Sequence, residues 1–351
     1  MIKRLAWPKS GHLLALAMAA GLLLAACGSS TTSSTGKSSV ASVTLAQSIV
    51  TPLDAGVYVA IQNGYFTKEK INLSLTTLQS GASTTEAIAS GSVDFVASGA
   101  FDVGAATAHG IKLIALDDLG GVTTEFCVSK SFAAAKGLNA SSGVTQVMTS
   151  LKGATLGLTG INGAPDLILS YLLSKYGHLN PTKDVHLVAL GSVPGELTAL
   201  KLNQIDGFLQ SPPGCEQAAA AGTGVLLLRP AQVPGLTKIP LGVVYSSKAY
   251  VNSHSAVTTR VATAVAEGEN FARTHTAATV TILQKYFPTV PAATLQSEFV
   301  NVVQPYMPKN AAFTTQDWAG VSQVLLTGGS ITKPLSTKEG LLWSNKYVQI
   351  K

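Results

Sequence analysis

From Val43 onward the apolar positions fall into short blocks whose period switches back and forth. Val43–Ile49 reads as a buried strand, and Ile71–Leu78 alternates as a half-buried one. Between them Val57, Tyr58 and Ile61 share one face of a helix over Asp54–Tyr65, which Gly64 ends. Ser83-Thr84-Thr85-Glu86 has the spacing of a capping box and opens a further helix, closed by Gly91. Val93–Ala97, Phe101–His109 and Lys112–Leu116 continue as strand, helix, strand. After Gly121 the rhythm restarts. Strands are predicted at Phe126–Ser129, Ala154–Thr159, Val185–Leu190, Ile205–Leu209, Val225–Leu228 and Leu241–Ser246. Helices are predicted at Ala164–Tyr176, Pro194–Leu202 and Cys215–Ala221, and Ala133–Ser150 is read as an irregular polar connection. From Ser253 the pattern is mostly helical, punctuated by Pro288, Pro291, Pro305 and Pro308. Alternating strands and helices predict an α/β chain with mainly parallel sheets flanked by helices.

The two α/β stretches echo each other. Gly91-Ser92-Val93-Asp94 aligns with Asn203-Gln204-Ile205-Asp206. In each, a residue suited to a left-handed helix end precedes a strand that begins with an apolar residue and an Asp. The echo is either generic α/β punctuation or the mark of two similar lobes, and the second is the reading taken here.

The first 42 residues differ from the rest. Lys3, Arg4 and Lys9 precede an apolar run of 14 residues, Leu13 to Ala26. That is a secretory signal, too short to span a bilayer comfortably. Leu24-Ala25-Ala26-Cys27 resembles the bacterial lipobox, which implies that residues 1–26 are removed and Cys27 is acylated. Residues 27–42, rich in Ser and Thr, suit a flexible tether. The predicted location is the extracytoplasmic face of the cell membrane, held by a lipid anchor.

Composition narrows the function. Hydrophobic residues make up 46 % of the chain and charged residues 12 %. Losing three cations with the signal leaves a formal charge of about +3, without a basic block, so nucleic acid is not an expected partner. Cys127 and Cys215 could bridge in an oxidising compartment or stand as two small buried hydrophobes. The second is the reading taken here.

Searches for catalytic chemistry return nothing. There is no Gly-x-Ser-x-Gly elbow, and the six histidines have no zinc spacing. No catalytic residue, metal or cofactor is expected. The positive signal lies in the turns that follow strands, where ligands of open α/β sheets bind. These turns are rich in Ser, Thr, Gly and Asn. They nominate Ser48, Thr51, Ser80, Gly81, Ser98, Phe101, Thr159, Asn162 and Gln210 as ligand-binding residues. No Lys or Arg lies in them, whereas Asp54, Asp102, Asp166 and Glu196 fall in or beside helix first turns. Such acids complement helix dipoles; one that faced the ligand would favour an amine-bearing or zwitterionic solute. Tyr58 and Phe101 are candidate flat walls for an aromatic one.

Several motifs together resemble the substrate-binding proteins of nitrate, sulfonate, taurine and thiamine-precursor ABC importers. They are Tyr58-Val59-Ala60-Ile61-Gln62-Asn63-Gly64-Tyr65-Phe66, Gly91-Ser92-Val93-Asp94, Leu151-Lys152-Gly153-Ala154-Thr155-Leu156-Gly157 and Gln204-Ile205-Asp206-Gly207. The resemblance spans about residues 43–350. It implies a two-lobed periplasmic-binding-protein-like fold of type II, with lobe one at 43–120 plus 247–351 and lobe two at 123–244. It further implies a monomeric, non-enzymatic lipoprotein that captures a small polar solute between the lobes and passes it to the transmembrane subunits of a permease. The solute would be sulfonate-, nitrate- or taurine-like, or a heteroaromatic precursor. Where many members carry an acidic-Pro pair, this chain has Gln210-Ser211-Pro212-Pro213. The alternative is an extracytoplasmic enzyme on the same architecture, such as a pyrimidine-precursor synthase relative.

Overall fold

The structure, a computed structural model, describes residues 39–348. The expected signal, Cys27 and most of the linker lie outside the described residues. Ten strands form two five-stranded sheets. The strands are β1 (Ala41–Gln47), β2 (Ile71–Thr77), β3 (Phe95–Gly99), β4 (Leu113–Gly121), β5 (Glu125–Ser129), β6 (Thr155–Leu158), β7 (His186–Ala189), β8 (Gly207–Gln210), β9 (Gly224–Leu228) and β10 (Pro240–Ser247). The first sheet has the order β2-β1-β3-β10-β4 and the second β7-β6-β8-β5-β9. The two orders correspond position by position. In each sheet four strands run one way and the fourth in order runs against them. That reversed strand comes from the other half of the chain. β5 follows β4 across residues 122–124, and β10 returns after β9 across 229–239. The two crossings are tied together where the Val122 N–H donates to the Ile239 carbonyl at 2.9 Å.

The sequence echo has a structural counterpart. The Thr44 N–H donates to Asp94 Oδ2 at 2.8 Å, and the Thr155 N–H donates to Asp206 Oδ2 at 2.8 Å. Each Asp returns its own N–H to the carbonyl of the same threonine. So in both sheets this Asp secures the strand that follows it to its parallel neighbour, β1 or β6. Gly91 (φ 75°) and Asn203 (φ 52°) take the left-handed turn that precedes it.

One face of the first sheet packs Val43, Leu45, Phe95 and Val244 against Val261, Ala264 and Val265 of the helix Ser255–Thr274. A larger core runs from the other face into the second half, where Leu156 and Leu158 of β6 meet Leu167 and Ile168 of the helix Ala164–Leu172. No helix among the described residues is long and apolar enough to cross a membrane.

Four expectations are corrected. Residues 240–244, assigned to lobe two, belong to the first sheet, because the return crossing is complete before β10 begins. The segment read as irregular contains the helices Lys130–Lys136 and Val144–Ser150. Their few buried positions (Ala133, Val147, Met148) gave too weak a period. The helix expected to open at Ser83 starts at Gly81, because Ser80 Oγ accepts the Ser83 N–H at 3.1 Å. Finally, Cys127 on β5 is disulfide-bonded to Cys215 on the helix Gly214–Ala220, with Cα atoms 5.6 Å apart. The pairing depends on β5 entering the second sheet beside β8, which no local pattern announces.

The bridge closes a loop of 88 residues within the segment that builds the second sheet. Reduction, or Cys215→Ser, should therefore lower stability by about 2–4 kcal/mol. Denaturant melts with and without reductant check this; identical midpoints would show that the bridge carries no stability.

Candidate functional site

The carboxyl ends of β1 and β3 face those of β6 and β8, and a cavity of about 50 Å3 lies between them. Its walls come from every part of the junction. Ser48, Thr51, Gly81, Ser98 and, on β10, Gly242 belong to the first half, Thr159 and Gln210 to the second, and Thr124 to the first crossing. A second space of about 280 Å3 adjoins it, sharing Ile49 and Ser211 and bounded by Gln79, Pro194 and Phe287. At this junction the halves approach closely enough that side chains would collide. A Cβ on Gly99 would stand 2.6 Å from the Ala164 Cβ, and one on Gly160 would stand 3.0 Å from the Ser80 Cβ.

Six of the nine nominated residues line the cavity: Ser48, Thr51, Gly81, Ser98, Thr159 and Gln210. The other three do not. Ser80 is spent on its helix cap and on the contact with Gly160. Asn162 holds a left-handed turn (φ 64°) and is exposed; its N–H donates to Asp166 Oδ2 at 2.7 Å. Phe101 is wholly buried in the apolar core, where its ring area is worth more than at a polar wall. Tyr58 is buried as well: its ring stacks on Tyr286 and its hydroxyl donates to Gln47 Oε1 at 2.8 Å. Sequence reasoning missed Thr124, Ser211 and Gly242. Thr124 lies on a crossing and Gly242 inside β10, not on strand-to-helix turns, so the rule that found the others did not reach them. A signal existed in Val122-Thr123-Thr124, whose two buried hydroxyl oxygens make no hydrogen bond.

Acids dominate the electrostatics. Asp102 Oδ2 accepts from Ser98 Oγ at 2.7 Å and from the Gly99 N–H at 3.0 Å. Burial nonetheless raises its pKa to about 6. Glu196 Oε2 accepts from Gln210 Nε2 at 3.2 Å, and burial lifts that carboxyl to about 8. Asp54 is pushed well above the carboxylate range by burial alone. Behind it Glu269 accepts the Gly56 N–H at 3.1 Å and is raised by burial and then by Asp118, Asp54 and Asp117. At the crossings, Arg229 pairs with Glu125, Glu216 and Glu298, which gather around its guanidinium. That cation is already claimed. Neither space is lined by Lys, Arg or His among the described residues.

These shifts have a definite sign. An acid whose pKa is raised in the folded state is deprotonated first in the unfolded chain. Between the two pKa values the folded form binds more protons, and stability falls as pH rises. Asp102 (about 6), Asp118 and Glu298 (about 7) and Glu196 (about 8) all act this way. The protein without solute should thus melt higher at about pH 5 than at about pH 8. Calorimetry across that range checks it; a melting temperature that rises with pH would contradict it.

No curated protein matches the chain significantly. Solved structures of the same fold do. The ligand-binding component of an ABC-type import system from Staphylococcus aureus, with zinc bound, is 12 % identical over 84 % of this chain and 94 % of that one, with a TM-score of 0.67. The nitrate-binding protein NrtA from Synechocystis PCC 6803 is 15 % identical over 88 % and 87 %, TM-score 0.71. The alkanesulfonate-binding protein SsuA from Xanthomonas axonopodis pv. citri, bound to MOPS, is 17 % identical over 85 % and 97 %, TM-score 0.66. The likeness is one of fold: two mixed sheets flanked by helices, as in periplasmic binding proteins. The NMT1-like family matches residues 36–284, so this chain belongs to the NMT1-like family.

Proposed function

We propose that the protein is the extracytoplasmic solute-binding component of an ABC importer. It captures one small polar solute between two lobes and delivers it to the transmembrane subunits of a permease. The observation that carries this reading is the cavity itself, which draws its walls from both sheets and from the first crossing. A solute placed there touches both halves only when they meet, so binding and closure are one equilibrium. We assign the first lobe to residues 43–121 with 240–348 and the second to 125–228, the crossings serving as hinge. The fold neighbours named for import and for nitrate or alkanesulfonate binding support the transport role. We further propose a monomer anchored through Cys27, on the strength of Leu24-Ala25-Ala26-Cys27 and the linker after it.

Ser48 and Thr159 stand on opposite sides of the cavity, and neither hydroxyl is used in a hydrogen bond among the described residues. Ser48→Ala and Thr159→Ala should each weaken solute binding by about five- to a hundredfold, with little change in melting of the free protein. Titration calorimetry with a solute found by thermal-shift screening tests this. Loss on one side alone would place the solute on one lobe; no loss on either side would remove the cleft assignment.

Cys27→Ser should abolish membrane retention of the full-length chain in its host. Equal membrane partition of parent and variant would contradict the anchor.

A further inference from the structure

Helix N-termini are the usual neutral means of holding an anion. In this cleft they are already occupied by carboxylates of the chain itself. Asp54 stands at the start of the helix Ala55–Gln62, and Asp102 in the first turn of Ala100–Ala108. Asp166 and Glu196 hold the same position in Ala164–Leu172 and Val193–Lys201. The helix Gly81–Ser90 has no acid in its first turn, but the Asp102 carboxylate lies against Gly81. A nitrate or sulfonate entering here would find each dipole already faced by a carboxyl group of the chain.

Three of these acids are engaged by the protein. Asp102 is held by Ser98 and Gly99, Asp166 by Asn162 and Ser170, and Glu196 by Gln210. Asp54 is different. Its residue is 3 % exposed and lines the cavity, yet its carboxylate makes no capping bond. No side chain or backbone group among the described residues pairs with it. Thr124, on the crossing beside it, also presents a buried hydroxyl oxygen without a partner. A buried, unpaired carboxylate is costly, and a cation is the group that relieves the cost.

We propose that the cleft takes a solute bearing a positively charged nitrogen, an ammonium or amidinium group, which pairs with Asp54 and donates to the hydroxyl oxygens of Thr124 and Thr159. This rests on the cleft being the solute site. It assigns a charge opposite to that of the nitrate named for one fold neighbour. Burial holds Asp54 toward its neutral form in the empty cleft, and the bound cation restores the carboxylate.

The test uses the mature chain and three size-matched probe series, read by titration calorimetry. The cations are propylammonium, guanidinium and benzylammonium; the anions propanesulfonate, nitrate and benzoate; the neutral probes propanol, urea and benzyl alcohol. At least one cation should bind one-to-one below about 10 mM, with no binding of the anions. Asp54→Asn should weaken that cation about thirtyfold or more. The same variant should melt no lower than the parent, because it replaces a buried carboxyl group that no other group of the described residues pairs with. That pairing of lost affinity with kept stability separates a ligand contact from a structural role. If the variant fails to fold, Thr159→Val gives a second reading: it should weaken the cation without altering the fold. Binding of an anion or a neutral probe in place of cations, or full cation affinity in Asp54→Asn, overturns the charge assignment and leaves the solute-receptor reading standing. No binding in any series overturns both.

Discussion

Each sheet is completed by a strand from the opposite half of the chain, and this exchange governs the rest of the molecule. β5 sits between β8 and β9, and β10 between β3 and β4. Both insertions are antiparallel, so both need the chain to pass straight from one sheet to the other. Two covalent crossings result, joined at Val122 and Ile239. Halves linked in this way cannot separate; their remaining freedom is rotation about the crossings. The exchange also fixes where chemistry can occur. It brings the carboxyl ends of both sheets to one place and lines that place with Thr124 of the first crossing and Gly242 of the inserted strand β10.

The same junction concentrates negative charge. Arg229, at the start of the return crossing, neutralises part of a cluster formed by Glu125, Glu216 and Glu298. Nothing comparable serves Asp54, Asp117 or Glu269, all buried and all raised well above the carboxylate range. A fold selected for stability alone would replace such groups by apolar residues of similar size. Of the three Asp54 lines the cavity, and its place there fits a site whose missing counter-charge arrives with the solute. Small residues complete the arrangement. Gly99 and Gly160 let the halves touch, and a side chain on either would hold the cleft open.

Much of the fold was legible in the chain because it rests on local rules. Period-two and period-3.6 blocks gave the elements, and the paired Asp94 and Asp206 motifs gave the two matching sheets. Turns after strands located six residues of the cavity. What was not legible depends on contacts far apart in sequence. The disulfide between Cys127 and Cys215, the membership of β10 in the first sheet and the role of Thr124 all follow from the strand exchange. Phe101 and Tyr58 were misplaced for a different reason. An aromatic residue beside a polar turn has the same local sequence whether it faces ligand or core, and here core burial prevails. Asp54 was visible as an acid near a helix start; only its lack of a partner distinguishes it from Asp102 or Asp166.

The central claim is that the two halves close on a solute at this junction. Distance measurement between spin labels tests it most directly. Glu86 and Ile161 are exposed and lie on opposite halves, Glu86 on the helix Gly81–Ser90 and Ile161 in the turn after β6. Labels at these positions should show a longer, broader distance distribution in the free protein. Saturating propylammonium or another bound cation should collapse it to a single shorter distance matching the contact of Gly160 with Ser80. A distribution that does not change when solute binds would contradict closure as the mechanism of capture.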